Sequence, residues 1–127
     1  MKGVEGLVGF VGVSDLERAR GFYGDVLGLS LVDESPYAFV AYLGSSMVRI
    51  TAVGEPAAAA YTVLGWTVTD IAAAVDDLAA RGVALTRYEG MDQDERGVWT
   101  APGGARVAWF GDPDDNVLSL TQLEPRV

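Results

Sequence analysis

Val13-Ser14-Asp15-Leu16 recurs 55 residues later as Val68-Thr69-Asp70-Ile71, and Ala19 recurs at the same offset as Ala74. Each copy ends an apolar run and is followed by apolar residues three and four apart. This order is typical of a β-strand, a Ser/Thr-Asp helix start and an amphipathic helix. The repeat is too long for most solenoid units and occurs only twice, so it indicates a duplicated module within one domain.

The two predicted helices share one design. The first is predicted over about Leu16–Val26 with Gly28 as its end, and the second is predicted to follow Asp70 and to end at Gly82. The residues expected to face the core recur at helical spacing. In the first helix they are Leu16, Ala19, Phe22 or Tyr23, and Val26, and in the second they are Ile71, Ala74, Val75 and Leu78.

Short strands separated by turns are predicted for the rest of both copies. In the first copy they are Leu7–Val13, Leu29–Val32, Ala38–Leu43 and Met47–Val53, and in the second Tyr61–Val68, Val83–Arg87, Gly97–Thr100, Arg106–Phe110 and Val117–Gln122. The sequence therefore predicts a single α+β domain over residues 1–127, built from two strand-helix-strand-strand-strand (βαβββ) modules. Module one covers about residues 1–56 and module two about residues 57–127.

Composition narrows the classes of function. The chain has no cysteine and no histidine, so disulfides, thiolate metal sites and His-dependent catalysis are excluded. Its net charge of −9 repels nucleic acids and anionic membranes and favours a cationic ligand. The first apolar run is short and closes at Asp15, which argues against a signal peptide or a membrane span. We expect a cytoplasmic protein.

Two motifs carry a family resemblance. One is Val13-Ser14-Asp15-Leu16-Glu17-Arg18-Ala19 leading to Phe22-Tyr23 and Val26-Leu27-Gly28-Leu29, and the other is Asp112-Pro113-Asp114-Asp115-Asn116-Val117-Leu118. In this order and spacing the chain resembles, over its whole length, the vicinal oxygen chelate superfamily, the glyoxalase, bleomycin-resistance and extradiol-dioxygenase group. The family usually has Gly at the position of Asp115. The resemblance implies two βαβββ modules forming a curved mixed sheet around a cavity, commonly completed in a homodimer.

The resemblance also implies four metal-ligand positions, which fall by register at Val8, Arg49, Val63 and Ser119. None of the four matches a His, Gln or Glu ligand of the family. Two valines offer no lone pair, a guanidinium repels a cation and one serine is a weak ligand. We therefore expect no metal and no cofactor at this place.

Alternation in the last strand separates two faces. Leu118 and Leu120 suit packing under the helices, whereas Val117, Ser119 and Thr121 suit a partly wet cavity wall. The same alternation directs Arg49 toward the cavity. There its guanidinium is either a ligand-orienting cation, or the partner of an acid such as Glu34, or a dimer contact.

The three tryptophans divide by position. Trp66 is expected to face the helices and to pack in the core. Trp99 and Trp109, on neighbouring strands, suit either an aromatic cavity wall or a core or dimer-interface role. The acidic stretch Glu89–Gly97 is either a solvated loop or a lid in which Met91 and Asp92 border the cavity. Together the candidate ligand-binding residues are Val8, Phe10, Arg49, Val63, Met91, Trp99, Trp109 and Ser119.

These observations favour a metal-independent, homodimeric protein that binds a cationic or aromatic small molecule, similar to the antibiotic-sequestering, bleomycin-resistance-like members of the family. One alternative is a lyase, isomerase or dioxygenase-related enzyme that uses carboxylates or an atypical metal site. Another is a structural or regulatory dimer without catalysis. No catalytic residue is assigned, because Cys and His are absent and the one lysine, Lys2, lies at the terminus.

Overall fold

A computed structural model describes residues 1–125 and divides the chain into two units, 1–58 and a second that begins at Ala59. In the first unit β1 (Val8–Val13) precedes α1 (Leu16–Arg20), which continues as a π-helix over Gly21–Val26. Then follow β2 (Leu31–Ser35), β3 (Ala38–Leu43) and β4 (Ser46–Ala52). The strands form one sheet in the order β1-β4-β3-β2, with β1 parallel to β4 and the other pairs antiparallel.

The second unit repeats this plan. It contains β5 (Thr62–Thr67), α2 (Ile71–Ala80), β6 (Trp99–Thr100), β7 (Arg106–Gly111) and β8 (Val117–Gln122). Their order in the sheet is β5-β8-β7-β6, and β5 runs parallel to β8. The predicted α+β class and the two βαβββ modules are thus confirmed.

The repeated segment has the same physical role in both copies, which is to start a helix. Asp15 accepts a hydrogen bond from the Arg18 backbone N–H, and Asp70 accepts one from the Ala73 N–H, both at 3.1 Å. Both aspartates have extended backbones, with φ near −140°. Each carboxylate satisfies an N–H that has no partner within its helix, so the repeated Ser/Thr-Asp pair fixes where each helix begins.

The first helix departs from regular α geometry after one turn. Its predicted range Leu16–Val26 is helical throughout, but the Leu27 N–H donates to the Phe22 carbonyl oxygen at 2.8 Å, a five-residue step. Of the predicted core positions, Ala19 and Tyr23 are buried. Leu16 and Val26 are only half-buried. The wider π turn changes which residues share a face, so the regular periodicity does not hold to the end of the helix.

One predicted strand is wrong. Val83–Arg87 forms no strand; it touches β7 only through an isolated bridge between Leu85 and Phe110 and a 2.7 Å hydrogen bond from the Thr86 N–H to the Trp109 carbonyl. β6 pairs with Arg106 and Val107 on the same side of β7, and the earlier segment meets that edge farther along, at Phe110, through a single bridge that does not extend into a ladder.

One face of each sheet packs against its own helices. In the first unit Val13, Tyr23, Phe39 and Ile50 are fully buried, and in the second Ile71, Ala108, Phe110 and Leu118 are. Trp66 stacks on buried Phe110, with ring centroids 6.5 Å apart and planes 16° apart, so it lies on the predicted helix-facing side, where it is half-buried. Within residues 1–125 no helix has the length and apolarity needed to cross a membrane.

Candidate ligand-binding site

The face of the second sheet opposite the helix is called here the second-sheet face. Register places Gly65, Ser119 and Trp109 side by side on β5, β8 and β7. Val107 lies two residues from Trp109 on the same face, and Trp99 pairs with it. Three of the predicted site residues, Trp99, Trp109 and Ser119, therefore share one surface.

Three aromatic rings meet on this face and form what we call the aromatic triad, Tyr88, Trp99 and Trp109. The Trp99 and Trp109 centroids are 6.1 Å apart with planes 37° apart. The Tyr88 ring meets Trp109 edge to face at 5.4 Å and 86°. Both separations lie in the range in which aromatic pairs attract. The tryptophans are half-buried and Tyr88 is 37% exposed, so the triad presents ring surface to solvent.

Trp109 is fixed in orientation by a polar contact. Its indole Nε1 donates to Thr62 Oγ1 at 3.1 Å. Thr62 would point to the helix side if β5 alternated regularly, but a bulge between Thr62 and Leu64 pairs Thr62 with Val117 instead. The irregularity turns the Thr62 hydroxyl to the second-sheet face, as bulges commonly re-aim a side chain.

The indole of Trp109 also explains the burial of Ser119. Because β8 lies between β5 and β7, an indole that reaches Thr62 from β7 must extend across β8. Ser119, predicted as part of a partly wet wall, is only 8% exposed. A Cβ on neighbouring Gly65 would clash with the Ser119 Oγ. Ser119 therefore lies under the surface of the site, and Gly65 leaves the room that it occupies.

Val63, the other predicted residue on β5, lies within the bulge and is 37% exposed. Met91, in the loop after Tyr88, is half-buried. Its backbone N–H donates to the Tyr88 carbonyl at 3.2 Å, and its own carbonyl accepts from the Gln93 N–H at 3.0 Å. These contacts place Met91 in the turn that immediately follows an aromatic residue of the triad.

The acidic segment Glu89–Gly97 is tied down at several points. Asp94 Oδ1 accepts from the backbone N–H groups of Arg96 and Val98, both at 2.9 Å. Arg96 forms two hydrogen bonds with Asp76 of α2, at 2.9 and 3.2 Å. The Arg96 guanidinium holds the pKa of the Asp76 carboxyl below its ordinary value through these bonds. These contacts connect the segment to α2 through Arg96.

The face of the first sheet opposite its helix is called here the first-sheet face. It carries the predicted residues Val8, Phe10 and Arg49. Phe10 pairs with Arg49 across β1 and β4, and Val8 lies two residues away on the same face. Val8 is 51% and Phe10 67% exposed. Arg49 Nη1 lies 3.5 Å from Glu34 Oε1. The sequence left three roles open for the Arg49 guanidinium. Of these, the ion pair with Glu34 is present in the first unit.

The strand register also shows where the four positions expected for metal ligands lie. Val8 and Arg49 share the first-sheet face, and Ser119 lies on the second-sheet face. Within residues 1–125 no three Asp or Glu side chains gather in a way that could hold a metal ion. The acidic side chains present are spread over ion pairs, caps and turns.

Three residues of this site were missed by the sequence analysis. Tyr88 follows Val83–Arg87, the segment predicted as a strand. The feature of the sequence that could have identified Tyr88 was an aromatic residue directly before an acidic loop. Thr62 is recognisable only through a bulge, which no local pattern marks. Gln93 bonds three backbone groups that are four to seven residues away. Its role depends on how the loop folds back, so sequence spacing gives no indication of it.

Comparison with known proteins identifies the family. The family model described as the Glyoxalase/Bleomycin resistance protein/Dioxygenase superfamily matches residues 7–120. The chain belongs to this superfamily, as the two motifs and the two βαβββ modules indicated. No curated protein sequence matches the chain.

Solved structures share the fold at low sequence identity. A member of the same superfamily from Sphaerobacter thermophilus is 25% identical, with a TM-score of 0.73 over 94% of this chain and 98% of that one. TnmS3, an antibiotic binding protein from Streptomyces sp. CB03234, is 23% identical, with a TM-score of 0.72 over 98% and 99%. A virulence protein from Salmonella typhimurium is 21% identical, with a TM-score of 0.67 over 98% of each chain.

Proposed function

We propose that this protein binds a small molecule reversibly and without a metal ion, and that the aromatic triad is the contact surface. The observation that carries the proposal is the hydrogen bond from Trp109 to Thr62, which holds an indole across β8. A half-buried ring held in one orientation is prepared to stack on a ligand, because no rotamer freedom must be lost on binding.

The proposed ligand is planar or extended and carries positive charge. Residues 57–127 contain eleven acidic and five basic side chains, so the unit with the triad attracts cations at long range. Aromatic faces add short-range attraction for a cation placed over them. Antibiotic binding is described for TnmS3, which shares the fold. For this chain an antibiotic of that physical character is part of the proposal.

A homodimer belongs to the same proposal. The first-sheet face exposes apolar side chains that would ordinarily be covered, namely Val8, Phe10, Val32 and Tyr42, each more than half exposed. Contiguous apolar surface of this kind marks an interface or a binding groove. Pairing of two copies over this face would bury it, and native mass spectrometry would report a dimer, together with any retained metal or organic ligand.

Tryptophan fluorescence tests the binding proposal. The protein would be titrated with metal-free bleomycin, a cationic glycopeptide, and with 9-aminoacridine, a planar cation. We expect quenching that saturates for at least one of them. Trp109→Phe should lower the affinity about tenfold, because it removes the oriented indole and its hydrogen bond.

Trp66→Phe is the matched control, since Trp66 faces the core of the same unit. It should reduce the total emission and leave the dissociation constant unchanged. Equal affinities for wild type, Trp109→Phe and Trp66→Phe would remove the triad from the site. Turnover that depends on added divalent metal would instead favour the enzyme alternative.

A further inference from the structure

We infer that Gln93 is the positioning residue of the aromatic triad: its carboxamide and its main chain together hold Tyr88 and Trp99 in place against Trp109. The inference deepens the proposed function and rests on it for its consequence in binding. The positioning itself is a property of the ligand-free protein, so it can be tested separately.

The Gln93 carboxamide uses both of its ends. Oε1 accepts a hydrogen bond from the Tyr88 backbone N–H at 2.8 Å. Nε2 donates to the Gly97 carbonyl at 2.8 Å and to the Thr86 carbonyl at 3.0 Å. One side chain therefore joins the two segments that flank the loop.

The backbone of Gln93 adds a fourth link. Gln93 forms an isolated antiparallel bridge with Trp99, the residue that begins β6. Gln93 thus contacts the backbones of the two residues whose rings meet Trp109. It reaches Tyr88 through its side chain and Trp99 through its main chain. Their ring distances to Trp109, 5.4 and 6.1 Å, follow from where these two backbones are held.

The chemistry of the contact requires an amide. The three backbone partners are one donor and two acceptors, and a carboxamide supplies one acceptor and two donors in a fixed plane. A carboxylate of the same shape keeps the bond to Tyr88 but places negative charge against the carbonyls of Thr86 and Gly97. An apolar side chain leaves all three groups without this partner.

The rest of the loop has its own supports, so the effect should be local. Arg87 donates to the Glu95 carbonyl at 2.7 Å, and Asp94 accepts from the Arg96 and Val98 N–H groups. The Thr86 N–H still bonds to the Trp109 carbonyl on β7. Loss of the Gln93 amide should therefore displace Tyr88 and loosen the Gly97 end of the segment that leads to Trp99, without unfolding the second unit.

The test compares Gln93→Glu with Gln122→Glu. Gln122 is a matched control because its Oε1 accepts from the Ile71 N–H at 2.8 Å, at the start of α2, a role that a carboxylate retains and that the helix dipole favours. In the ligand-free protein, the near-ultraviolet circular dichroism of the tryptophans should change in Gln93→Glu and stay as in wild type in Gln122→Glu. Far-ultraviolet spectra should coincide for all three.

The pH profile separates positioning from a general structural role. In Gln93→Glu the introduced carboxyl faces two carbonyls, so it should have a raised pKa, and once protonated it can donate one hydrogen bond. Lowering the pH from about 7.5 to about 5 should restore part of the wild-type near-ultraviolet signal in this variant. Wild type and Gln122→Glu should show no such recovery.

Binding is the second readout. Gln93→Glu should weaken 9-aminoacridine binding about fivefold to tenfold at about pH 7.5, with Gln122→Glu unchanged. If wild type does not bind 9-aminoacridine, the proposed function fails for this probe, whereas the ligand-free spectra still decide the role of Gln93. Unchanged near-ultraviolet spectra in Gln93→Glu would overturn the inference.

Should Gln93→Glu fail to fold, wild-type protein gives the answer by nuclear magnetic resonance. The side-chain amide protons of Gln93 and the Tyr88 N–H should exchange slowly with solvent, because all take part in the hydrogen bonds described. Exchange as fast as in a free glutamine side chain would show that the contact is not maintained in solution.

Discussion

The indole Nε1 of Trp109 donates a hydrogen bond to Thr62 Oγ1 at 3.1 Å, although their strands are not neighbours. Strand β8 lies between them, so the two side chains and their hydrogen bond together bridge about two strand spacings, roughly 10 Å between the backbones. Trp109 therefore extends across β8, where its register partner Ser119 is only 8% exposed. In this arrangement Ser119, a polar residue of β8, lies beneath an aromatic surface.

Thr62→Val should release Trp109 while keeping the shape of the residue at position 62. Loss of one hydrogen bond of ordinary strength should weaken 9-aminoacridine binding about fivefold and shift the tryptophan emission. Thr67→Val on the same strand is the control, because Thr67 is exposed and is not bonded to the indole. Identical effects of the two variants would contradict the assigned role of Thr62.

Glu34→Gln should free the Arg49 guanidinium from its ion pair. Both side chains are partly exposed, so stability should change by less than about 1 kcal/mol. A released cation beside Phe10 should increase the affinity for the anionic dye 1-anilinonaphthalene-8-sulfonate. Asp33→Asn is the control, because Asp33 pairs with Arg20 instead. No difference in dye affinity between the variants would show that Arg49 is already available in the wild type.

The two helix caps should contribute equally to stability. Asp15→Ala and Asp70→Ala should each lower the free energy of unfolding by about 1 kcal/mol, because both carboxylates accept the same type of hydrogen bond at 3.1 Å. Asn at either position should recover most of the loss. Denaturant unfolding measures these values, and a strong asymmetry between the caps would contradict their equivalence.

The Asp76–Arg96 pair should make the order of the Glu89–Gly97 segment depend on pH. Arg96 lowers the pKa of Asp76, so the pair stabilises the folded state above the ordinary aspartate pKa of about 3.9. That contribution is lost as the pH falls further, through the lowered folded-state pKa. The protection factors of the backbone amides in this segment, which compare the measured exchange rate with the intrinsic rate at the same pH, should therefore be high at neutral pH and fall in acid.

Asp76→Asn should show lower protection factors in this segment already at neutral pH and little further decrease on acidification. Asp77→Asn is the matched control, because Asp77 pairs with Arg81 of its own helix turn. Its Glu89–Gly97 segment should exchange as in wild type. A pH response that persists in Asp76→Asn would assign the acid sensitivity to another carboxyl group.

Local patterns accounted for most of the fold. The bounds of Ala38–Leu43 and Val117–Gln122 agree with the structure residue for residue, since each strand lies between strong turn signals. Val83–Arg87 failed because its apolar residues suggest a strand, while the segment meets the edge of β7 at one bridge only and Arg87 bonds the Glu95 carbonyl of the following loop. Whether a segment finds a partner strand along its length is not encoded within the segment.

The candidate site likewise combines features that local sequence predicts with features that it does not predict. The faces of Trp66 and Arg49 could be predicted, because strand alternation is a local property, whereas the role of Trp109 was left open between a cavity wall and a core or interface position. The bulge that turns Thr62 toward Trp109 and the return of Gln93 to Tyr88 could not. The first depends on strands brought together from distant parts of the chain, and the second on how a loop folds back on itself.

The sequence by itself determined the duplicated module, the two helix starts and the residue types available for chemistry, because caps, turns and periodicity act over a few residues. Tertiary structure alone decided that Trp109 reaches Thr62 across β8, that among the roles open to Arg49 the ion pair with Glu34 forms, and that Gln93 links Tyr88 to Trp99. These relationships arise only when strands and loops are assembled, since each joins groups whose separation the local sequence does not fix.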